Sequence, residues 1–233
     1  MRLIFLPLFF AFTGIGLAHS QNCNNEVPIG YINICLPEII GMEECYSDPL
    51  VGLFYDSFKG GSDEIILGAY LLDEVYEDRY EHFFEDGAGD EYIKVFTLEE
   101  LQNIYVDEED LDYMYELMCS TLEEYDESLK NRIDKALDDA LEGDFGFDVD
   151  IQVGKPVLIK KYNHSENIRS FIVITKFVIE DYQFVQVMVS NLAIVNNRML
   201  LYAYYKEYFD SEDIRSAKSS SDYFGYSLNK LND

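Results

Sequence analysis

The last third of the chain constrains the fold most. Pro156 to Tyr162, Phe171 to Val178, Phe184 to Val195 and Met199 to Tyr205 are four runs rich in β-branched and aromatic residues. Glu180-Asp181 and Asn196-Asn197 separate consecutive runs as tight turns. Links this short cannot carry a crossover, so each strand must turn back along its predecessor. Asn tolerates the left-handed backbone that such a turn needs. The reading is an antiparallel β-meander with an apolar face to be covered.

The preceding residues supply the cover. Gln21 to Val27 is polar and reads as loose. Ile32 to Leu36 reads as a strand stopped by Pro37. Ser47-Asp48-Pro49 opens a helix with Pro just inside it, and Leu50, Leu53, Phe54 and Phe58 follow at helical spacing until Gly60-Gly61. Ile65 to Leu72 is a continuous apolar run of strand length, where periodicity alone leaves helix open. Tyr92 to Phe96 alternates as a strand does. Thr97, with Glu100 three residues on, has the pattern of a capping box. Leu111, Met114, Tyr115, Met118 and Leu122 make one helical stripe, and Asp107 to Asp110 place acids at the positive end of its dipole. Leu129, Ile133, Ala136, Leu137, Ala140 and Leu141 mark another helix, closed by Gly143. Ser211-Glu212-Asp213 opens a last helix, with Ile214, Tyr223, Tyr226, Leu228 and Leu231 available to pack. Helices with one apolar stripe each, laid on an antiparallel sheet, make an α+β fold, expected as one acidic domain over residues 21–233.

The first residues read as an export signal. Arg2 precedes an apolar run from Leu3 to Leu17, and Ala18-His19-Ser20 places small residues where a signal peptidase cuts, so cleavage is expected near Ser20–Gln21. As a membrane anchor the run is near the lower length limit and is interrupted by Pro7, Gly14 and Gly16. Cys23 stands where a bacterial lipoprotein would be acylated, but the amides Gln21 and Asn22 before it argue against lipidation. The expected location is secreted or periplasmic, with no transmembrane segment after cleavage.

The formal charge of −28 repels nucleic acid and anionic membranes, because phosphate binding needs Lys and Arg. It favours solubility, and it attracts cations or a basic partner. Four cysteines, Cys23, Cys35, Cys45 and Cys119, all follow the leader. An even number in an exported chain points to disulfides, with three connectivities open. Cys35 and Cys45 flank a short loop and are the first expected pair. No C-x-x-C occurs, so zinc and thioredoxin readings are poor.

Catalytic patterns are scarce. His82 and His164 stand in contexts that match no nucleophile motif. Gly60-Gly61 and Gly87-Ala88-Gly89 match no phosphate-binding fingerprint. Paired carboxylates suited to a hydrolase are too numerous to single one pair out, and Trp platforms are absent. Asp144, Asp148 and Asp150 sit in a Gly-broken segment after a helix and could offer calcium its oxygens, without EF-hand spacing. Calcium is the one cofactor in view. Tyr202, Tyr204, Tyr205 and Tyr208 form a tyrosine-rich run that would suit a protein partner where exposed and the core where not. Asn163-His164-Ser165 fits a glycosylation sequon.

The segment Ile32 to Met42 resembles the opening strand and Pro-Gly-aromatic turn of PsbP-like proteins, with Met42 where an aromatic is usual. The order of helices, meander and terminal helix extends the resemblance over about Ile29 to Leu231. The Ile/Asn/Tyr-rich composition also resembles uncharacterised exported proteins of Bacteroidetes-type bacteria. The resemblance implies a non-catalytic binding or assembly factor and carries no site residue. The cysteines and the acidic stretch between Asp73 and Asp150 depart from the family pattern. The expected function is non-enzymatic protein binding at the cell envelope, with a calcium-dependent module and a carboxylate hydrolase as alternatives.

Overall fold

The structure is a computed structural model that describes residues 23–57, 63–82, 91–125, 130–131, 151–179 and 182–233. In chain order these are β1 (Asn25–Ile29), β2 (Ile32–Leu36), β3 (Met42–Glu44), α1 (Pro49–Ser57), β4 (Glu64–Leu72), α2 (Asp73–Glu77), α3 (Arg79–His82), β5 (Glu91–Leu98), α4 (Glu108–Glu123), β6 (Ile151–Val153), β7 (Val157–Ser165), β8 (Ile168–Ile179), β9 (Tyr182–Val195), β10 (Arg198–Glu207) and α5 (Ser211–Asn232).

Among the described residues an eight-stranded antiparallel sheet runs β3-β4-β5-β10-β9-β8-β6, with β7 also on β8. The meander β7 to β10 forms as its sequence requires. Asn196 and Asn197 take φ of 49° and 59°, the left-handed pair that lets β9 turn straight into β10. β6 and β7 lie along the same edge of β8, separated at Gly154, whose amide donates to the Lys176 carbonyl at 2.7 Å. β5 then joins the free edge of β10 and brings β4 and β3 with it. The apolar run at Ile65 to Leu72 is strand because β4 is buried on both faces over most of its length.

Helices cover both faces. On one, α5 and the β1–β2 hairpin pack Ile34, Leu36, Ala217, Phe224 and Leu228 against Ile93, Val95, Ile168, Ile172, Val189 and Tyr202. On the other, α4 sets Leu111, Tyr115 and Cys119 on Phe171, Val173, Leu192, Met199 and Leu201. α1 extends that layer, with Val51 and Tyr55 against Cys45, Ala69 and Leu71. The N-terminus of α1 is closed by Asp48, whose carboxylate accepts from the amides of Leu50 and Val51 and from Arg79 Nε at 2.8 Å. Burial opposes the charge on Asp48, but the bonds from Arg79, Leu50 and Tyr80 outweigh it and hold its pKa below the usual carboxylate value.

Several expectations are corrected. The segment around Val27 is not loose: Asn25 to Ile29 pairs with β2, and Ile29 is core. The disulfide joins Cys23 to Cys35, not Cys35 to Cys45. Hairpin pairing sets Glu26 opposite Cys35, and the residues just ahead of β1 fold back so that the Cα atoms of Cys23 and Cys35 lie 5.6 Å apart. Cys45 is instead buried beside α1, and Cys119 is buried under α4 on the far face from the hairpin. Thr97 caps no helix. It is a buried strand residue whose hydroxyl donates to the Met199 carbonyl at 2.8 Å, and only a single 3-10 turn, Glu99–Leu101, follows. On α5 the sheet-facing stripe is Ala217, Ser221, Phe224, Gly225 and Leu228, so Tyr223 and Tyr226 fall on the outer side. The helix expected over Leu129 to Leu141 lies almost wholly outside the described residues, as do the Gly60-Gly61 and Glu180-Asp181 turns.

Candidate functional site

The structure disperses the residues singled out by sequence. Tyr202 and Tyr204 are buried, at 0% and 2% exposure. Tyr202 packs on Phe224 with ring centroids 4.8 Å apart, and Tyr204 donates its hydroxyl to Glu91. Tyr205 stacks on Tyr92 at 4.3 Å, and Tyr208 is partly buried against the α5-side core. Tyr202 and Tyr204 are therefore core and not a partner surface, on a central strand of the sheet, while Tyr205 and Tyr208 are half-buried. Asp144, Asp148 and Asp150 lie outside the described residues. Among the described residues no three His, Cys, Asp or Glu side chains converge as metal ligands. His164 lies in β7 with Nδ1 3.4 Å from Asp222, which also accepts from Tyr162 at 3.0 Å and from Lys218. That carboxylate ties α5 to β7. Asn163 of the sequon is exposed. Burial pushes the Cys45 thiol up to about 12, with Glu44 next to it adding to the rise, so it is protonated and unreactive at neutral pH.

The exposed surface with the clearest chemistry is the outer side of α4. Its sequence cause is direct. Asp107 caps the helix, accepting from the amides of Glu109 and Asp110, while Asp110 accepts from the Asp107 amide. Leu111, Tyr115 and Cys119 are drawn into the core, and Tyr115 fixes the helix by donating to the Ser170 carbonyl at 2.9 Å. Beyond that stripe and its partly buried flank of Met114, Met118 and Leu122, the helix faces water. Residues 107–124 carry eight carboxylates and no Lys or Arg.

Two apolar side chains sit among these acids. Tyr113 is 69% exposed and Leu117 46% exposed, four residues apart and so neighbours on the helix surface. Glu109, Asp110 and Glu116 stand one turn from Tyr113. Just before the helix, Ile104 and Tyr105 are also exposed. Among the described residues, Arg169 and Lys161 each share their charge between two of the α4 acids. Arg169, with a side chain 5% exposed, donates to Asp112 at 2.6 Å and to Glu108 at 3.1 Å, and Lys161 lies 3.4 Å from Glu116 and 3.6 Å from Glu123. Burial opposes the Arg169 charge, and Asp112 and Glu108 overcome it, so its pKa is raised. The face keeps a net negative field after these pairings. The sequence signal for it is what the α4 stripe leaves over: Tyr113 and Leu117 break the polar pattern of an outer helix face.

No helix among the described residues is long and apolar enough to cross a membrane. No family model and no curated protein matches the chain. Solved structures to which it is similar include the Ran-binding protein Mog1p of Saccharomyces cerevisiae, at 16% identity and TM-score 0.38, covering 89% of this chain and 90% of that one. A mutant of the protein Mog1 aligns at 16% identity and TM-score 0.36 over 89% and 91% of the two chains.

Proposed function

We propose that this chain is an exported, non-enzymatic domain that binds a basic segment of a protein partner at the cell envelope through the outer face of α4. The observation that carries the reading is the exposed Tyr113–Leu117 pair inside a helix surface of eight carboxylates and no base. A solvated acidic face needs no apolar anchors. A docking face uses them, with charge steering the encounter and the aromatic ring supplying the buried contact. The leader-like residues 1–20 and the Cys23–Cys35 bridge support an oxidising, extracytoplasmic setting.

The test is affinity capture from the host's own envelope fraction with the intact chain and two variants, Tyr113→Ala and Glu116→Lys. A basic protein should be retained by the wild type, and raising salt from about 0.05 to 0.3 M should release it as screening shortens the reach of the field. Both variants should fail to retain it. Capture that survives both substitutions would place the interface elsewhere and end this reading.

A further inference from the structure

A cleft of about 270 Å³ lies between the hairpin and α5, on the opposite side of the sheet from α4. One wall is Cys23, Asn24, Leu36, Pro37 and Glu38. The other is Tyr223, Tyr226, Ser227, Lys230 and Leu231, residues spaced to share one face of the helix. Both walls are held in place. The Cys23–Cys35 disulfide ties the first to β2. The Asn232 side chain pins the second to the same strand, accepting from the Cys35 amide and donating to the Cys35 carbonyl, each at 2.9 Å. Asn24 donates to Glu38 at 2.5 Å and orients its carboxylate.

The charges on the walls are opposite in sign and unspent on each other. Glu38 and Lys230 form no ion pair with one another, and Lys230 has no hydrogen-bonding or ionic partner among the described residues. Leu36 gives the cleft an apolar base, and the half-exposed rings of Tyr223 and Tyr226 flank it. Both side chains are exposed and hydrated, so a neutral ligand gains nothing from either charge and a singly charged one gains from only one. A small zwitterion satisfies both, with charge-assisted hydrogen bonds at each end. The volume is below the usual range of drug-sized pockets, which limits the ligand to about the size of an amino acid.

We infer that this cleft binds a free amino acid in its zwitterionic form, its ammonium on Glu38, its carboxylate on Lys230 and its side chain between the tyrosine rings. The site is separate from the α4 face and stands or falls independently of the protein-binding reading. It is tested by amide NMR of the purified chain titrated with L-phenylalanine, L-phenylalaninamide and N-acetyl-L-phenylalanine. The free amino acid should shift the amides of Asn24, Ser227 and Lys230. Each capped ligand should bind about tenfold or more weaker, since each loses one charge-assisted bond. Lys230→Gln should erase the penalty for the amide, and Glu38→Gln the penalty for the acetyl compound, with melting temperatures unchanged because both side chains lie at the surface. No shift at about 10 mM amino acid, or equal affinity for free and capped ligands in the wild type, overturns the inference without recourse to any variant.

Discussion

α4 and α5 cover opposite faces of one sheet and are attached to it in different ways. α4 lies on large apolar side chains: Leu111, Tyr115 and Cys119 are buried, with Met114, Met118 and Leu122 partly so. α5 comes in on small residues, with Ala217, Ser221 and Gly225 along its buried stripe. Between them the buried Asn191 of β9 accepts from Ser170 at 2.6 Å and donates to Ser221 at 2.8 Å. Further along, Asn167 and Asn229 exchange 3.0 Å bonds, and Asn232 clamps Cys35. Tyr115 to the Ser170 carbonyl is the one buried side-chain hydrogen bond of α4 among the described residues, whereas α5 is keyed by several, and a satisfied polar ladder admits one register. The helix with the fixed register forms a wall of the rigid cleft. The helix held by area keeps its outer face free for charge.

Substitutions at the two attachments should separate these modes. The largest effect is expected at Gly225, where an added Cβ would lie 2.3 Å from the Tyr202 hydroxyl and 3.1 Å from Ile168 Cδ1. Gly225→Leu should cost about 3 kcal/mol or more by denaturant unfolding, through overpacking. The Tyr202 hydroxyl is buried without a partner among the described residues, so Tyr202→Phe should be neutral alone and should recover part of the loss in a Gly225→Ala background. A Gly225→Ala variant as stable as wild type would show that α5 is not closely seated.

Asn191→Ala should come next, at about 2–3 kcal/mol, because it strands the Ser170 and Ser221 hydroxyls in the core. Loss of the α4 cap in Asp107→Ala should cost about 1 kcal/mol, seen as faster amide exchange in the first turn of α4 and not in α5. Tyr113→Ala should change stability by less than about 0.5 kcal/mol while abolishing partner capture. A large stability loss there would make Tyr113 a core residue.

The smallest effect is a pH dependence at the start of α5. The pKa of Asp213 is lowered by hydrogen bonds from the amides of Asp210 and Phe209. A group whose folded pKa is depressed adds stability above its unfolded pKa and loses it as pH falls through the folded one. The difference in first-turn amide exchange between wild type and Asp213→Ala should therefore be present at neutral pH and fade below about pH 4. A difference that persists at pH 2 would mean that the carboxylate acts by packing and not by charge.

The helix starts show how far sequence reading carries. Thr97 with Glu100 has the familiar capping-box letters, yet Thr97 is inside β5. The boxes that form are Asp107 with Asp110 and Asp210 with Asp213. An acid serves at either end of such a box as well as Ser or Glu does, and whether the chain is free to turn helical there depends on strand pairing, which local letters do not report. The α4 stripe was legible because large apolar residues at helical spacing have few other uses. The α5 stripe was not: Ser221 and Gly225 carry no apolar signal, and Tyr223 and Tyr226 carry a misleading one. Of the candidate sites, the acidity of α4 was readable as composition, but its Tyr113–Leu117 anchors were visible only once the buried stripe was subtracted.

By itself the sequence determined the α+β class, the meander and the start of α1 and α4. These follow from spacing, turn chemistry and steric limits that act over a few residues. Only the tertiary structure decided that Cys23 meets Cys35, that Tyr202 and Tyr204 are core, and that α5 docks through small residues and an asparagine ladder. Each depends on which strands are neighbours. That is set by the joint burial of surfaces far apart in the chain, where β5, arriving from the N-terminal half, takes the open edge of β10.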